Sequence, residues 1–309
     1  MNLNQRAWNL ADDMEHRAEE LRLTVSHVAG TRVIDASSGG LVAGLMLSRI
    51  CLADLADVRV QANGDGLEVC VSTDHPVLSC LGSQYAGWQV KTERYFAMGS
   101  GPMRAVANRE EVIQQLYLNE SSDCAVGVFE THKAPTEEVV ASVIGKLPPD
   151  VARLTLLYAP TNSLAGTIQV VARSVETALH KLHELKFDMG TLRCGFGIAP
   201  LPPVAKDAIG AIGRTNDAIL YGGRVTLWLD AEQDKIDAVG PKVPSNSSPE
   251  YGSLFGELFQ RYNGDFYKID PHLFSPAQVT FVNLRSGISR TFGRVEPDLL
   301  KKSFMGSAT

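Results

Sequence analysis

The sequence predicts an α/β protein made of two related α/β units, on three observations. Apolar runs of strand length alternate with helix-length amphipathic segments along the chain, the pattern expected where helices pack on a sheet. Residues 154–181, LTLLYAPTNSLAGTIQVVARSVETALHK, read as a buried strand, a polar loop and a long helix. The two halves also echo each other. RVIDASSGGLVAG resembles TLLYAPTNSLAG, and each is followed later by a Gly-containing turn, MGSGPMRA or IGRTNDA. No short repeat or solenoid period is present. A single boundary near residue 120 gives a first α/β domain, 1–120, with an N-terminal helix, and a second, 121–309, carrying an Arg-x-x-Glu helix. Packing of the C-terminal segment back on the first domain stays open. The echo allows a site between matched loops, one from each half.

Residues 4–22 read as an amphipathic helix with Ala7, Leu10, Ala11, Met14, Ala18 and Leu21 on its apolar stripe. Its other face is strongly acidic, which favours docking on the main body over a membrane. Residues 23–28 and 31–36 read as strands turning at Gly30, 37–40 as a small Ser-Ser-Gly-Gly loop, and 41–52 as a helix. That loop is neither a Walker A loop nor GxGxxG, so it is read as shaped by packing or lining a cleft. Residues 58–61 and 67–72 form a hairpin around Asn63, Gly64, Asp65 and Gly66. Asp74 and His75 precede Pro76, which turns the stretch away from helix. Their adjacency invites a catalytic dyad, but adjacent residues rarely face one target and no nucleophile-elbow serine follows. Tyr85 and Trp88 either stack on a planar ring or pack in the core. A strand at 94–98 runs into GSGP, followed by a helix at 103–117 and a strand at 124–130. A helix at 135–147 has Glu137 and Glu138 in its first turn, as the helix dipole favours, and ends at Pro148 and Pro149.

The strand at 154–158 is followed by loop and cap residues, among them Asn162, Ser163 and Gly166. One helix then runs from Gly166 with no breaker before Gly190. Ile168, Val171, Ala172, Val175, Leu179 and Leu182 form its core stripe. Gln169, Arg173, Glu176, His180 and His183 form a second stripe beside it. Arg173 and Glu176 are three apart, so their side chains can meet. A carboxylate held beside a guanidinium stays ionised, orients water and moves a proton. An ordinary surface ion pair is the plainer reading. Position favours function, because the pair lies near the start of a helix after a strand and a polar loop, where open α/β sheets place ligands. His180 and His183 have metal-ligand spacing, but no third ligand is evident, so no metal is expected.

Residues 194–207, CGFGIAPLPPVAKD, read as a Gly/Pro-rich connection. GRTNDAILYGG, 213–223, reads as a polar turn, then a strand at 218–221 and a Gly-Gly turn into a strand at 225–229. Residues 235–249 look irregular, 251–262 helical, 278–283 a strand, and 285–293 a turn and strand, with fraying from about 304. The rim of a pocket is expected at 37–40, 74–80, 99–104, 160–166 and 213–217, each a polar or Gly-rich turn.

Composition narrows the class. With 44% hydrophobic and 21% charged residues the chain is ordinary globular material, and its net charge of −6 argues against nucleic acid as a partner. No secretory signal or bilayer-length apolar stretch is evident. The five cysteines are scattered without a CxxC, and read as reduced, mostly buried thiols of a cytoplasmic protein.

Taken together, NSLAG-x5-ARSVETALHKL, GRTNDAILYGG, STDHPVLSCLGSQYAGW and YFAMGSGPMRA resemble the methenyltetrahydromethanopterin cyclohydrolases of one-carbon metabolism, over about 21–299 and in order. The resemblance implies two related α/β domains with mixed sheets and a deep pocket between them, a homotrimer, and neither metal nor redox cofactor, the tetrahydromethanopterin derivative being the substrate. It puts the family's catalytic pair on Arg173 and Glu176. Asn162, Ser163, Arg214, Asn216, Asp217, Asp74 and His75 are the candidate substrate-binding residues. The implied reaction is hydrolysis of 5,10-methenyl-tetrahydromethanopterin to the 5-formyl compound, in formaldehyde oxidation or methanogenesis. The alternatives are a non-catalytic pterin-binding protein and a cyclohydrolase acting on methenyl-tetrahydrofolate, which presents the same reacting carbon.

Overall fold

The computed structural model of the protein describes residues 1–64 and 66–305. Asp65 of the expected hairpin turn and residues 306–309 of the expected frayed end lie outside the described residues. The strands, in chain order, are β1 (Thr24–Val28), β2 (Thr31–Asp35), β3 (Asp57–Asn63), β4 (Gly66–Thr73), β5 (Trp88–Lys91), β6 (Phe96–Ser100), β7 (Cys124–Glu130), β8 (Arg153–Ala159), β9 (Leu192–Pro200), β10 (Arg224–Leu229), β11 (Gln278–Asn283) and β12 (Ser289–Gly293). They form two mixed sheets of six strands each. The chain divides into two compact units. One is Met1–Ala56 with Leu78–Gln169, the other Asp57–Val77 with Val170–Thr309. The sequence reading drew one boundary at 120/121. The contacts divide the chain at three other places, because β3 and β4 join the second sheet.

In the first unit the sheet order is β1-β2-β8-β7-β6-β5. The neighbours β2, β8 and β7 run parallel, and the outer pairs are antiparallel. β7 and β8 are buried along nearly their whole length, as parallel strands covered on both faces must be. One face packs against the helices Leu3–His16 and Leu41–Cys51 through Ala7, Ala11, Met14, Leu47 and Ile50. The N-terminal helix therefore docks on the body, as its apolar stripe predicts. Asn2 caps it by accepting from the Gln5 N–H. Val139, Val140 and Val143 of the helix Glu137–Ile144 belong to a second core cluster with Phe129 and Leu156. The expected helix 103–117 is two short ones, Met103–Ala107 and Glu111–Gln115, broken where Asn108 turns left-handed at φ 48°. After Pro76 the chain forms a π-helix, Val77–Gln84. The short β5 that follows was not foreseen.

In the second unit the sheet order is β12-β11-β10-β9-β4-β3, antiparallel except for β10 beside β11. β9, β10 and β11 alternate buried and half-buried residues, the pattern of a sheet covered fully on one face. The helices Ser174–Glu184 and Ala208–Gly222 pack on β9.

The second half of the chain departs from the sequence expectations at five places. Of residues 194–207, expected as a Gly/Pro-rich connection, 194–200 belong instead to a central strand, Leu192–Pro200. Gly195 and Gly197 sit on its buried face, where a helix lies against the backbone. Residues 213–222 are helical, so 218–221 is not a strand. Thr215 bonds back to Ala211 O, and a β-carbon on Gly213 would stand 3.2 Å from Gly256 Cα, so close helix packing outweighs poor helix propensity. The single helix expected from Gly166 to before Gly190 is two, Leu164–Val171 and Ser174–Glu184. The irregular 235–249 contains a helix at Gln233–Val239, and the helix at 251–262 is shorter, Phe255–Arg261. Among the described residues no helix is long and apolar enough to cross a membrane. None of the five cysteines forms a disulfide; four are buried and Cys194 is half-buried.

Candidate active site

The break between the two helices puts Arg173 and Glu176 where they are. The Arg173 N–H donates to Val170 O at 3.1 Å, and the Thr177 N–H donates to Arg173 O at 2.9 Å. The backbone ladder is thus handed from one helix to the next across a turn. Arg173 becomes the N-cap of the second helix, at φ −87° and ψ 9°, and Glu176 lies in its first turn. The first turn of a helix has unsatisfied N–H groups and the positive end of the dipole, which favours an ionised carboxylate there. Arg173 is 6% exposed and Glu176 4%. An exposed ion pair is thereby set aside. Both are buried ionisable groups, and charge at such sites must be paired or hydrogen-bonded. The core stripe is as expected, with Ile168, Val171, Ala172, Val175, Leu179 and Leu182 fully buried.

The start of this helix lies on β9. A β-carbon on Gly195 would stand 2.9 Å from Val175 Cγ1, and one on Gly197 2.8 Å from Val175 Cγ2 and 2.5 Å from Ser174 Oγ. The same point on Gly195 is 3.5 Å from Pro76 Cβ. Asp74 and His75 are exposed at the end of β4, beside β9. The His75 N–H donates to Thr73 Oγ1 at 3.0 Å. Burial raises the Cys194 thiol pKa, and its hydrogen bond to the Asp74 carboxylate raises it further. The structure therefore brings the Asp-His-Pro loop and the start of the Arg173–Glu176 helix to one stretch of β9, all within the second unit.

The other candidates are distributed differently. Asn162 and Ser163 belong to the first unit. Ser163 caps the helix Leu164–Val171, donating to Pro160 O at 2.8 Å and accepting from the Gly166 N–H at 3.1 Å. Asn162 beside it is half-buried. Because β2 and β8 are parallel neighbours, the loops 37–40 and 160–163 leave the same end of that sheet, the end where α/β sheets place ligands. β6 is antiparallel to β7, so 101–104 runs the other way. That segment does not share the rim expected for it with those two loops.

Arg214, Asn216 and Asp217 ride on the helix Ala208–Gly222 rather than a loop. A helix advances about 100° per residue, so Arg214 and Asn216 stand about 160° apart around it. Arg214 donates to Pro203 O at 3.1 Å and Asn216 to Ile212 O at 2.8 Å. Asp217 is buried and uses both oxygens, accepting from the Phe255 N–H at 2.8 Å and from the Ser303 hydroxyl at 2.7 Å. Burial pushes its pKa up to about 6.

Lys181 and the two glycines of β9 were not singled out in the sequence. Lys181 is fully buried on the same helix as Glu176, donating to Ser247 Oγ at 3.1 Å and to His272 O. The glycines were legible only as a period-two alternation, CGFGIA, taken instead for breakers. Among the described residues no group of three His, Cys, Asp or Glu side chains is placed to hold a metal ion.

Two mixed-sheet units make this an α/β protein, with an arginine and a glutamate buried at one helix start in the second unit. A family profile described as Cyclohydrolase (MCH) matches residues 2–304. A methenyltetrahydromethanopterin cyclohydrolase of Rhodopirellula baltica is 52% identical, covering 96% of this chain and 91% of its own. Relatives of the same name from Methylobacterium nodulans and Methanococcoides burtonii are 42% and 35% identical, each covering 98% of this chain, and 97% and 98% of their own. The chain belongs to the methenyltetrahydromethanopterin cyclohydrolase family.

Proposed function

We propose that this enzyme hydrolyses 5,10-methenyl-tetrahydromethanopterin to the 5-formyl compound in one-carbon metabolism, with Glu176 and Arg173 as the catalytic pair. The observation that carries the assignment is a buried carboxylate in the first turn of the second helix, in a chain matched over its length by relatives of that name. The substrate carbon is an amidinium, planar, cationic and electrophilic, so no nucleophilic side chain is needed. Water adds to it while Glu176 takes the water proton. The tetrahedral adduct collapses as Glu176 returns that proton to the departing nitrogen and the C–N bond breaks. The remaining hydroxyl proton leaves as the formyl C=O forms. A cation becomes a neutral product, so one proton is released per turnover. The anionic Glu176 also favours the cationic ground and transition states. Arg173 supplies the planar fork that orients the carboxylate.

Asp74, His75, Asn162 and Ser163 complete this reading as pterin contacts, with one of Arg214 and Asn216, which face opposite sides of their helix. Asp217, with both oxygens committed, acts by anchoring the helix that carries Arg214 and Asn216. The working form is a cytoplasmic homotrimer that needs no metal. Light scattering giving a monomer mass, or activity lost to a chelator and restored by zinc, overturns that part.

The test of the pair is steady-state hydrolysis followed by loss of the near-ultraviolet absorbance of the methenyl substrate. Glu176→Gln keeps the shape and loses the base, so kcat should fall about 10²- to 10⁴-fold with a much smaller change in KM. Arg173→Lys should also be impaired, because a point charge does not reproduce the fork. Wild-type kcat in Glu176→Gln removes Glu176 from the mechanism.

A further inference from the structure

We propose that Gly195 and Gly197 are positioning residues for the hydrolysis. They set how closely the helix Ser174–Glu184 lies on β9, and through it where Arg173 and Glu176 stand. This rests on the cyclohydrolase reading of that pair. The two glycines are two residues apart on one strand, so they face the same side, and that side is buried. Val175, fully buried and between Arg173 and Glu176 in sequence, straddles them. Its Cγ1 would meet a β-carbon on Gly195 at 2.9 Å and its Cγ2 one on Gly197 at 2.8 Å.

Carbon atoms pack at about 3.5–4.0 Å, so either added methyl lacks roughly 1 Å of room. The Ser174 hydroxyl, 2.5 Å from the Gly197 position, can rotate aside. Val175 cannot. A β-branched side chain in a helix has one strongly preferred rotamer, and turning one methyl away from its glycine drives the other toward the second. Nor can the strand retreat, since β9 is hydrogen-bonded to β4 on one side and β10 on the other. The yielding part is the start of the helix, joined to the preceding helix only by the turn at Ala172 and Arg173. That end carries the pair. A displacement of about 1 Å at a reacting group costs on the order of 10²-fold in rate.

The experiment is a cycle of Gly197→Ala, Val175→Ala and the double variant in the full chain. Steady-state kinetics, the pH profile of kcat and Tm are read for each. Gly197→Ala should lower kcat about 10- to 100-fold while KM changes much less and the pH profile keeps its shape. Val175→Ala, which loosens the same contact without forcing the helix off the strand, should lower kcat less than Gly197→Ala does, and the double variant should have a higher kcat than Gly197→Ala, because truncating Val175 frees space for the new methyl. Gly195→Ala with the same Val175→Ala partner supplies the comparison where Gly197→Ala does not fold. A folded glycine variant with wild-type kcat, a lowered Tm with intact kcat, or a loss that Val175→Ala does not lessen overturns the proposal. Glu176→Gln is run beside them. If it is inactive while the glycine variants are normal, this inference alone fails, whereas wild-type activity in Glu176→Gln sinks the reading of the pair and the inference with it.

Discussion

At the scale of the residue, Arg173 and Glu176 show what spacing conveys and what it omits. Their i, i+3 separation was readable, and so was the apolar stripe beside them. A polar stripe next to a core stripe reads as a solvent face, however, and only the packing shows that Gln169, Arg173 and Glu176 of this one are buried. Asp217 shows the converse. Among Arg, Thr and Asn it looked like a ligand in a polar turn, yet its oxygens are spent on Phe255 N–H and Ser303 Oγ–H. Its titration gives a prediction. The folded pKa is raised from 3.8 to about 6, chiefly by burial. Between those values the folded state holds a proton that the unfolded state has released. The associated stability is therefore fully present below about pH 4 and lost as pH rises through 6. The shift corresponds to about 3 kcal/mol. Asp217→Asn is nearly isosteric, its carbonyl oxygen accepting from Phe255 N–H and its amide donating to Ser303. Denaturant midpoints of the variant should lack the wild-type decline between pH 4 and 6. An unchanged decline would show that Asp217 is not its source.

At the scale of the element, the helices Leu164–Val171 and Ser174–Glu184 and the strand β9 were hidden by residues whose reason is tertiary. No breaker marks the turn at Ala172 and Arg173, and glycines that read as loop are where a helix touches a strand. GRTNDAILYGG is helical because Gly213 faces Gly256 and Asp217 is anchored from two sides, neither of which local propensity conveys. Strands with clean apolar runs, such as 124–130 and 278–283, matched their expected bounds. Lys181 belongs to this scale because it holds the far half of the Glu176 helix to the segments at Ser247 and His272. Burial lowers its pKa from 10.5 to about 8, against a smaller opposing effect of Asp270. Between pH 8 and 10.5 the unfolded chain binds the proton that the folded one has lost, so this residue makes stability rise with pH across that window. Lys181→Met should abolish the rise, an effect of about 3 kcal/mol over the window. A wild-type rise retained in the variant would assign it elsewhere.

At the scale of the whole molecule, the α/β class and its doubling were legible, because periodicities of two and 3.6 survive in any context. The interleaving was not. Hairpin β3–β4 has no local mark of the sheet it joins, and a boundary near 120 is where sequence alone would cut. The contacts make a definite prediction about that cut. A fragment 1–120 would keep β1, β2, β5 and β6 but lose β7 and β8, the strands that join β2 to β6 in the first sheet. A fragment 121–309 would lose β3 and β4, leaving β9 as an open edge with unpaired N–H and C=O groups. β2 pairs with β8 across more than a hundred residues, as Arg32↔Thr155 shows, so neither local contacts nor a single half supplies the first core. Each fragment expressed alone should be insoluble or show non-cooperative unfolding by circular dichroism, while the intact chain unfolds cooperatively. The control is a fusion of the two segments of the second unit. The fragment 57–77 joined by a flexible linker to 170–309 restores all six strands of the second sheet, and should recover a cooperative transition that 121–309 lacks. A stable, cooperatively folding 1–120 or 121–309 would mean that the chain does divide near residue 120, and that β3–β4 is dispensable to the sheet it occupies.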